Sequence, residues 1–326
     1  MEYRKLILKD AGGYTREIKK VSRLCFGSLC LGYLQSGLEL REGAGVIRRA
    51  YELGVNFVDT AQLYGTYKYI KAAGLGDNIV ISSKTYAHTS KLAEEALEEA
   101  LHELGRDYID IFMLHEQESV STLEGHFEAL EYLFEQKRRG RIKAVGASTH
   151  HVNGVLGAVE FNKRYEDKLE VIHPMYNMSG LGIADGTPIE MEAALLEAKK
   201  SGFFIFCMKA LGGGVLYRKA EEALNFVLSQ PFIDCAAIGM KSLLEVEANA
   251  HFFQTGKFPE VYYRDYNKAK KSLHIDEWCA GCGECAKKCR QGALQISGGK
   301  AVCDAGRCLL CGYCAAACGD FAVKII

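Results

Sequence analysis

The chain has no excess of positive charge and no long apolar run. Its 326 residues include 40 Lys and Arg against 41 Asp and Glu, a formal net charge of −1. Proteins that bind nucleic acid usually carry a basic surface, so this balance argues against a nucleic-acid partner. No apolar stretch approaches the roughly 18 residues that span a bilayer, and residues 1–20 carry charges throughout and no apolar signal-peptide core. These absences predict a cytoplasmic protein with no membrane partner.

Cysteine is scarce over most of the chain. Only four of the 13 cysteines precede residue 279, and all four fall in apolar runs, where a thiol packs as a small buried side chain. They are Cys25, Cys30, Cys207 and Cys235. The other nine crowd into the C-terminal end of the chain. Disulfide scaffolds are typical of short secreted chains, so the crowding favours a metal-binding module instead.

Short apolar runs rich in branched residues alternate with helical patterns from about residue 24 to 254. Eight such runs predict strands, at 24–29, 55–60, 78–84, 108–114, 142–148, 169–175, 203–209 and 234–239. Near-continuous apolar strands indicate a sheet buried on both faces, and strict alternation with helices indicates parallel pairing. The fold class is therefore α/β, a (β/α)8 TIM barrel. No GxGxxG motif follows an early strand, which argues against a Rossmann domain.

Two flanking segments complete the predicted organisation. The runs "RKLILKD" and "REIKKVS" surround a Gly-Gly turn and predict an N-terminal β-hairpin that covers one mouth of the barrel. Within the barrel, residues 90–105 predict a helix with Ser90 as its N-cap and Gly105 as its end. The alternating pattern stops after residue 255. We predict a barrel domain over residues 1–265 and a small α+β module over residues 266–326.

Two blocks near the C-terminus share the spacing CxxCxxCxxxC. They are "CAGCGECAKKC" at 279–289 and "CLLCGYCAAAC" at 308–318, and the flanking "ALQI" and "AVKI" repeat at the same offset. Structural zinc sites are the alternative, but these usually draw two ligand pairs from separated loops. A third cysteine three residues further on suits the corners of an iron-sulfur cube.

The module resembles the bacterial two-cluster ferredoxin, which binds two 4Fe-4S clusters. In that family the fourth cysteine of each block crosses to the other cluster. The resemblance implies one cluster on Cys279, Cys282, Cys285 and Cys318, and a second on Cys308, Cys311, Cys314 and Cys289. Arg290 and Gly319 stand where a proline often follows the last cysteine. Cys303 has no counterpart in the repeat, and we expect it to bind no metal.

Four ionisable residues follow three neighbouring strands of the predicted barrel. They are Asp59, Tyr64, Lys84 and His115. Catalytic residues of such barrels lie where the strands end, so we expect these side chains to converge. An adjacent ammonium lowers the pKa of a phenol, and an imidazole can donate a hydrogen bond to a carbonyl oxygen. The set therefore predicts a site that protonates an oxygen as negative charge develops on it.

The segments "NFVDTAQLYG", "VISSK" and "DYIDIFMLH" resemble successive signatures of the aldo-keto reductase family over roughly residues 1–255. The resemblance implies a nicotinamide cofactor across the barrel mouth and hydride transfer to an aldehyde or ketone. It also implies that Tyr64 is the general acid, with Asp59, Lys84 and His115 as its partners.

The same matching nominates cofactor contacts after strands five to eight. "VGASTHH" and "HPMYN" match motifs that hold the carboxamide, although His173 stands where the family has glutamine. The Gly triplet in "MKALGGG" offers backbone amides to a pyrophosphate, and "GMKSLLEVEAN" resembles the adenosine-binding end. The nominated residues are Ser148, Thr149, His173, Met208, Lys209, Leu211, Gly212, Gly213, Gly214, Gly239, Lys241, Ser242, Glu245 and Asn249.

The cofactor is NAD(H) or NADP(H). Glu245 stands where the family often places an arginine that pairs with the 2'-phosphate of NADPH. A carboxylate repels that phosphate and accepts a hydrogen bond from a ribose hydroxyl, which favours NADH. Lys241 leaves NADPH open. A flavin is the usual converter between hydride and one-electron transfer, but no flavin motif is recognisable.

Two functions fit these features. The first is an aldo-keto reductase with a carbonyl or alcohol substrate, coupled to electron transfer through the clusters and to a redox partner such as a flavoprotein or ferredoxin. In that case the clusters either carry electrons or stabilise a small module that lacks a large core. The second is a nonenzymatic electron carrier or a nucleotide sensor. Tyr64 and its three partners favour the enzyme, since a sensor needs no proton donor.

Overall fold

Eight parallel strands form a closed barrel. A computed structural model describes residues 1–9, 15–262 and 271–326 of the protein. The barrel strands are β3 (Leu24–Gly27), β4 (Phe57–Asp59), β5 (Val80–Thr85), β6 (Ile109–Leu114), β7 (Ile142–Thr149), β8 (Val171–Pro174), β9 (Phe204–Cys207) and β10 (Cys235–Gly239). They pair in chain order, and β10 closes the barrel on β3. All eight overlap the predicted runs, so the predicted barrel is confirmed.

Helices surround the barrel and connect successive strands. Their bounds are α1 Leu40–Glu52, α2 Tyr67–Ala72, α3 Ser90–Leu104, α4 Val120–Gly125, α5 Phe127–Arg138, α6 Val152–Arg164, α7 Pro188–Lys200, α8 Ala220–Ser229 and α9 Leu243–Thr255. In α3 the predicted end at Gly105 is confirmed by its left-handed φ of 66°, but the predicted N-cap is wrong by one residue. Thr89 caps the helix by accepting a hydrogen bond from the Leu92 N–H, while the Ser90 hydroxyl donates to the Glu128 carbonyl. Among the described residues, no helix is long and apolar enough to cross a membrane.

The N-terminal hairpin covers the end of the barrel at which the strands begin. It consists of β1 (Tyr3–Lys9) and β2 (Thr15–Ser22), which pair antiparallel. Its predicted turn lies outside the described residues. Leu6 and Val21 are fully buried in one apolar cluster with Phe57, Val80 and other inward-facing strand residues. The hairpin therefore closes one mouth, as predicted, and leaves the opposite mouth for a ligand.

The C-terminal segment forms two small sheets. Strand β11 (Leu273–Ile275) pairs antiparallel with β14 (Val323–Ile325), and β12 (Leu294–Ser297) pairs with β13 (Lys300–Cys303). Two short helices, Glu284–Lys288 and Tyr313–Ala316, follow glycines with the same φ of 84°. The sequence repeat is thus matched by a repeat in the backbone. The predicted boundary between residues 265 and 266 lies outside the described residues.

This C-terminal module packs against the open mouth of the barrel. A Cβ on Gly213 would lie 2.4 Å from the Phe321 ring, and a Cβ on Gly214 would lie 2.0 Å from the Ile325 carbonyl oxygen. The two glycines were predicted to approach a pyrophosphate. In the structure they also allow the C-terminal residues to approach the barrel closely.

Candidate active site

The four predicted catalytic side chains meet at the open mouth. The Lys84 ammonium is fully buried and donates to both carboxylate oxygens of Asp59 at 2.7 and 2.8 Å, and to the Thr60 carbonyl at 2.7 Å. The same ammonium lies 5.0 Å from the centre of the Tyr64 ring. The Tyr64 and His115 rings are 5.8 Å apart, edge to face. Strands β4, β5 and β6 hold these groups in register because parallel strands end at one face.

The electrostatics of Tyr64 differ from the sequence-based expectation. Burial raises the pKa of Tyr64 well above its ordinary value of 10.0, and the carboxylates of Asp59 and Glu116 raise it further. Lys84 was expected to lower this pKa. Its ammonium instead donates to Asp59 and the Thr60 carbonyl. Tyr64 is therefore a neutral phenol at physiological pH and is suited to give up a proton only when an oxyanion develops beside it.

His115 is held as a neutral imidazole. Burial lowers its pKa well below the ordinary value, with a further contribution from Lys84. Its ring stacks on Tyr86 at 4.5 Å, and its Nδ1 is buried with no hydrogen-bond partner among the described residues. A buried polar atom without a partner is costly, so this nitrogen is a candidate contact for a bound polar group. Tyr86 was not foreseen, because nothing in its sequence neighbourhood marks it.

His173, which replaces the expected glutamine, lies under the cleft. Its Nδ1 is 2.6 Å from the Phe206 carbonyl oxygen, so Nδ1 carries the proton and donates. Its ring stacks on Phe206 at 4.0 Å, and its Nε2 is 3.6 Å from an Asp59 oxygen. Burial lowers the pKa of His173 to about 4. It therefore presents a neutral ring beside the Asp59–Lys84 pair.

A cleft runs from Tyr64 and Asp59 along the ends of strands β9 and β10. Many predicted cofactor contacts line it, namely His173, Met208, Lys209, Leu211, Gly213, Gly214, Gly239, Lys241 and Glu245. The C-terminal residues Lys324, Ile325 and Ile326 and the module residue Lys271 line it as well. These four residues were not predicted from the sequence, because the nearby cysteine motifs indicate clusters and not a nucleotide site. The cleft is thus bounded by the barrel on one side and by the module on the other.

The other predicted cofactor contacts bond to the chain itself. The Ser148 hydroxyl accepts from the Glu116 N–H at 3.0 Å, and Thr149 Oγ1 accepts from the His151 N–H at 2.9 Å. Ser242 caps α9 by accepting from the Glu245 N–H. A hydroxyl that accepts one bond still has a proton to donate, so Ser148 keeps a donor for a carboxamide.

Glu245 and Asn249 lie on the first turns of α9. The Glu245 carboxylate accepts from the Lys241 N–H at 2.7 Å, and the Asn249 amide donates to the Glu245 carbonyl at 2.8 Å. The Asn249 amide oxygen is buried without a hydrogen-bond partner among the described residues. Gly212 begins a short 3-10 turn that extends to Gly214, with φ values in the left-handed region throughout.

A charged network that the sequence analysis did not foresee adjoins the cleft. The Lys209 ammonium is 2.9 Å from His150 Nε2, and His150 Nδ1 is 2.9 Å from the Glu116 carboxylate. Burial acts to raise the pKa of Glu116, but His150 and other nearby groups outweigh burial and lower this pKa to about 2. Burial lowers the pKa of Lys209 to about 7. Glu116 and Lys209 both have left-handed backbone, with φ of 54° and 59°. Such strain is common at functional sites. Because tertiary contacts impose it, the left-handed backbone of these two residues could not be predicted from the sequence.

The eight predicted cluster ligands lie in two groups. Cys279, Cys282, Cys285 and Cys318, which we call the first set, line one small cavity. Cys308, Cys311, Cys314 and Cys289 form the second set, and Cys303 lies beside Cys308. Among the described residues, no group of three or more His, Cys, Asp or Glu has the geometry to hold a single metal ion.

Comparisons with known proteins agree with this geometry. The model of the "Aldo/keto reductase family" matches residues 23–223. This range includes seven of the eight barrel strands, β3 to β9, and the residues Asp59, Tyr64, Lys84 and His115. Aldo-keto reductase YhdN of Bacillus subtilis is 26% identical over 64% of this chain, and the match spans 63% of its own length. L-galactose dehydrogenase of Arabidopsis thaliana is 22% identical over 71% of this chain and 83% of its own.

A solved structure supports the fold. The holo form of an aldo-keto reductase from Bacillus halodurans superposes with a TM-score of 0.62 at 20% identity, covering 82% of this chain and 95% of that one. At this identity the likeness shows the barrel alone. The family match, the barrel and the residues at its mouth lead to one assignment. The chain belongs to the aldo/keto reductase family of NAD(P)-dependent oxidoreductases.

Proposed function

We propose that the barrel reduces an aldehyde or ketone with NAD(P)H, and oxidises the corresponding alcohol in reverse. The observation that carries this proposal is the Tyr64 phenol, which lines the cleft beside Asp59 and is held neutral by burial. The cofactor, when bound, supplies a hydride to the carbonyl carbon. Tyr64 gives its proton to the carbonyl oxygen as negative charge grows there, which completes the alcohol.

The partners of Tyr64 have supporting roles. The Lys84 ammonium lies 5.0 Å from the centre of the Tyr64 ring and pairs with Asp59, so this carboxylate opposes ionisation of the phenol less than an unpaired carboxylate would. His115 is neutral, so it can donate one hydrogen bond to the carbonyl oxygen and orient the substrate without competing as an acid. Together these groups supply a proton and a preorganised site for the oxyanion.

The cofactor lies, on this proposal, along the cleft between Tyr64 and α9. Met208, Lys209 and the Gly212–Gly214 turn would contact the nicotinamide end and the pyrophosphate, with Ser148, Thr149 and His173 near the carboxamide. Gly239, Lys241, Ser242, Glu245 and Asn249 would hold the adenosine. Because the Glu245 carboxylate lines the cleft, NADH is favoured over NADPH.

We propose further that residues 266–326 form an iron-sulfur module with two 4Fe-4S clusters on the two cysteine sets. Support comes from backbone N–H groups that point at the thiols. The N–H groups of Ala293, Ala301 and Ala322 donate to the sulfurs of Cys289, Cys279 and Cys318 at 3.3, 3.4 and 3.3 Å. Such N–H···S bonds tune cluster potentials.

The clusters would carry single electrons between the barrel and a redox partner protein such as a flavoprotein or ferredoxin. Metal analysis tests the module directly. Anaerobically purified protein should contain iron and acid-labile sulfide in equal amounts and show a broad visible absorbance that bleaches on reduction. Zinc in place of iron would contradict the module.

Anaerobic NAD(P)H oxidation with a panel of carbonyl compounds tests the enzymatic proposal. Because a relative is named L-galactose dehydrogenase, the panel should include sugar lactones and aldoses beside simple aldehydes and ketones. Tyr64→Phe keeps the ring and removes the acid, so we expect a loss of roughly 10²–10⁴-fold in kcat with unchanged nucleotide affinity. Equal rates for the two proteins would exclude the proposal and favour a nucleotide sensor.

A further inference from the structure

Phe321 has a backbone conformation that its counterpart in the repeat fills with glycine. Each stands three residues after the last cysteine of its block, and their φ values are 53° for Phe321 and 58° for Gly292. A phenylalanine with a left-handed backbone is strained, whereas a glycine adopts this conformation with little strain. Contacts made by the ring must offset this cost.

Those contacts are with the mouth of the barrel. A Cβ on Gly182 would lie 2.3 Å from the Phe321 ring, and one on Gly213 would lie 2.4 Å from it. The ring thus inserts between two barrel loops that have no side chain at the contact. Its face lies 4.1 Å from the Lys209 ammonium, a cation–π contact.

A continuous line of contacts leads from Phe321 to the predicted carboxamide site. It passes from Lys209 to His150 and Glu116, and the Glu116 N–H donates to the Ser148 hydroxyl at 3.0 Å. Of the four non-glycine residues with left-handed backbone in the described ranges, three belong to this line, Glu116, Lys209 and Phe321. Strain concentrated in one set of touching residues points to a functional constraint.

On the module side the line begins at Cys318, a residue of the first set. The Phe321 N–H donates to the Cys318 carbonyl at 3.1 Å, and the next residue, Ala322, donates to the Cys318 sulfur. The second set approaches the barrel at Gly312, where a Cβ would lie 3.0 Å from Val215. Val215 does not line the cleft, and Ile325, which lies 3.8 Å from the same position and does line it, carries no charged side chain either. The two sets therefore differ in how they reach the nucleotide cleft.

We propose that Phe321 and Lys209 couple the nucleotide cleft to the cluster of the first set, so that nucleotide binding lowers the reduction potential of that cluster more than that of the second. This inference rests on the proposed function. Reduction adds an electron, taken from a low-potential one-electron donor, and so a negative charge beside the cleft. That negative charge attracts the Lys209 ammonium, which lies against the Phe321 ring and lines the cleft, so the cation attracts an anionic nucleotide less strongly and the nucleotide binds less tightly. By thermodynamic reciprocity the bound nucleotide disfavours reduction.

An anaerobic redox titration of the full chain with dithionite and mediators, with and without saturating NADH, tests this coupling. Tenfold weaker NADH binding to the reduced protein corresponds to a potential lowered by about 59 mV for a one-electron cluster. The waves are assigned with Cys285→Ala and Cys314→Ala, which remove a ligand from the first and the second set. NADH binding to oxidised and to reduced protein gives the same coupling independently.

Two variants and one control locate the coupling. We expect Phe321→Leu and Lys209→Met to lose most of the shift, and Tyr313→Leu, an exposed aromatic residue of the same module, to retain it. Iron and sulfide content and thermal unfolding show whether each variant is folded and loaded. Absence of a shift, a shift at least as large in the second cluster, or a full shift in Phe321→Leu would overturn the inference.

The same experiment separates this inference from the proposed function. If carbonyl reduction, nucleotide binding and both clusters are present but no wave moves, only the coupling is wrong. If iron is absent or NADH does not bind, the coupling falls together with the corresponding part of the proposed function. Tyr64→Phe should abolish carbonyl reduction and leave the shift intact.

Discussion

At the scale of single residues, the candidate site is governed by burial. Tyr64, His115 and His173 are all kept neutral by desolvation, while Asp59 and Lys84 form a compact ion pair. The phenol beside this fixed ion pair therefore stays protonated until negative charge develops on the substrate oxygen. The sequence predicted which residues meet, because strand ends share one face. It did not predict the direction of the Tyr64 pKa shift, because that direction is set by burial of the phenol, with the Asp59 and Glu116 carboxylates adding to it.

The pH dependence of carbonyl reduction follows from this shift. Burial raises the pKa of Tyr64 above 10.0, so the proton donor stays protonated through neutral and mildly alkaline pH. We expect kcat for reduction to stay flat over that range and to fall only at strongly alkaline pH. Alcohol oxidation needs the phenolate and should rise with pH over the same range. Single-turnover rates across pH measure this, and a reduction rate that already falls near neutrality would contradict it.

Removing only one partner of the Asp59–Lys84 ion pair should lower the stability of the protein strongly. Lys84→Met leaves the buried Asp59 carboxylate without its cation, so we expect the free energy of unfolding to fall by about 3–5 kcal/mol. Asp59→Asn combined with Lys84→Met should recover a large part of that loss, because no unpaired charge remains. Urea unfolding measures both. Lys91→Met, at the exposed pair with Glu95, is the control and should change stability by no more than about 0.5 kcal/mol. Similar losses at Lys84 and Lys91 would contradict the argument.

At the scale of elements, the chain predicts strands better than loops. Buried runs such as 108–114 and 142–148 become β6 and β7 almost residue for residue, because branched apolar side chains suit a sheet covered on both faces. The helix end at Gly105 was also predictable, because glycine adopts the left-handed conformation at the end of a helix with less strain than other residues. The Lys209 and Phe321 conformations were not readable, because tertiary contacts impose them on residues that prefer other regions.

The close approach of β14 to the barrel gives an element-scale prediction. Gly214 has φ of 90°, and a Cβ there would meet the Ile325 carbonyl oxygen at 2.0 Å. Gly214→Ala should therefore displace β14, lower the melting temperature and weaken nucleotide binding. Gly45→Ala is the matched control, because Gly45 lies inside α1 with open space at its Cβ. The control should gain about 0.5–1 kcal/mol. Equal melting temperatures and equal nucleotide affinities of the two variants would contradict tight docking of the module.

At the scale of the whole molecule, the barrel and the module share one cleft. Residues that follow β9 and residues of β10 form one wall, and Lys324, Ile325 and Ile326 contribute to the other. The barrel was predictable from its strand and helix pattern, and the repeat in the module from its two cysteine blocks. Their juxtaposition was not, because a sequence repeat defines the inside of a module and says little about the surface on which it docks. A ligand in this cleft touches both parts, which gives a physical reason for their presence in one chain.

The duplicated module makes a set of matched cysteine substitutions informative. Cys285 and Cys314 occupy equivalent positions in the two blocks, and both are buried. We expect Cys285→Ala and Cys314→Ala each to remove about half of the iron and of the visible absorbance, since each breaks a different set. Cys303→Ser should keep both clusters, because Cys303 lies beside the second set without completing it. Iron and sulfide analysis with electron paramagnetic resonance measures all three. Loss of a cluster in Cys303→Ser would reassign that thiol as a ligand. Because Cys303 lies beside Cys308, this variant is a sharp test of the ligand set.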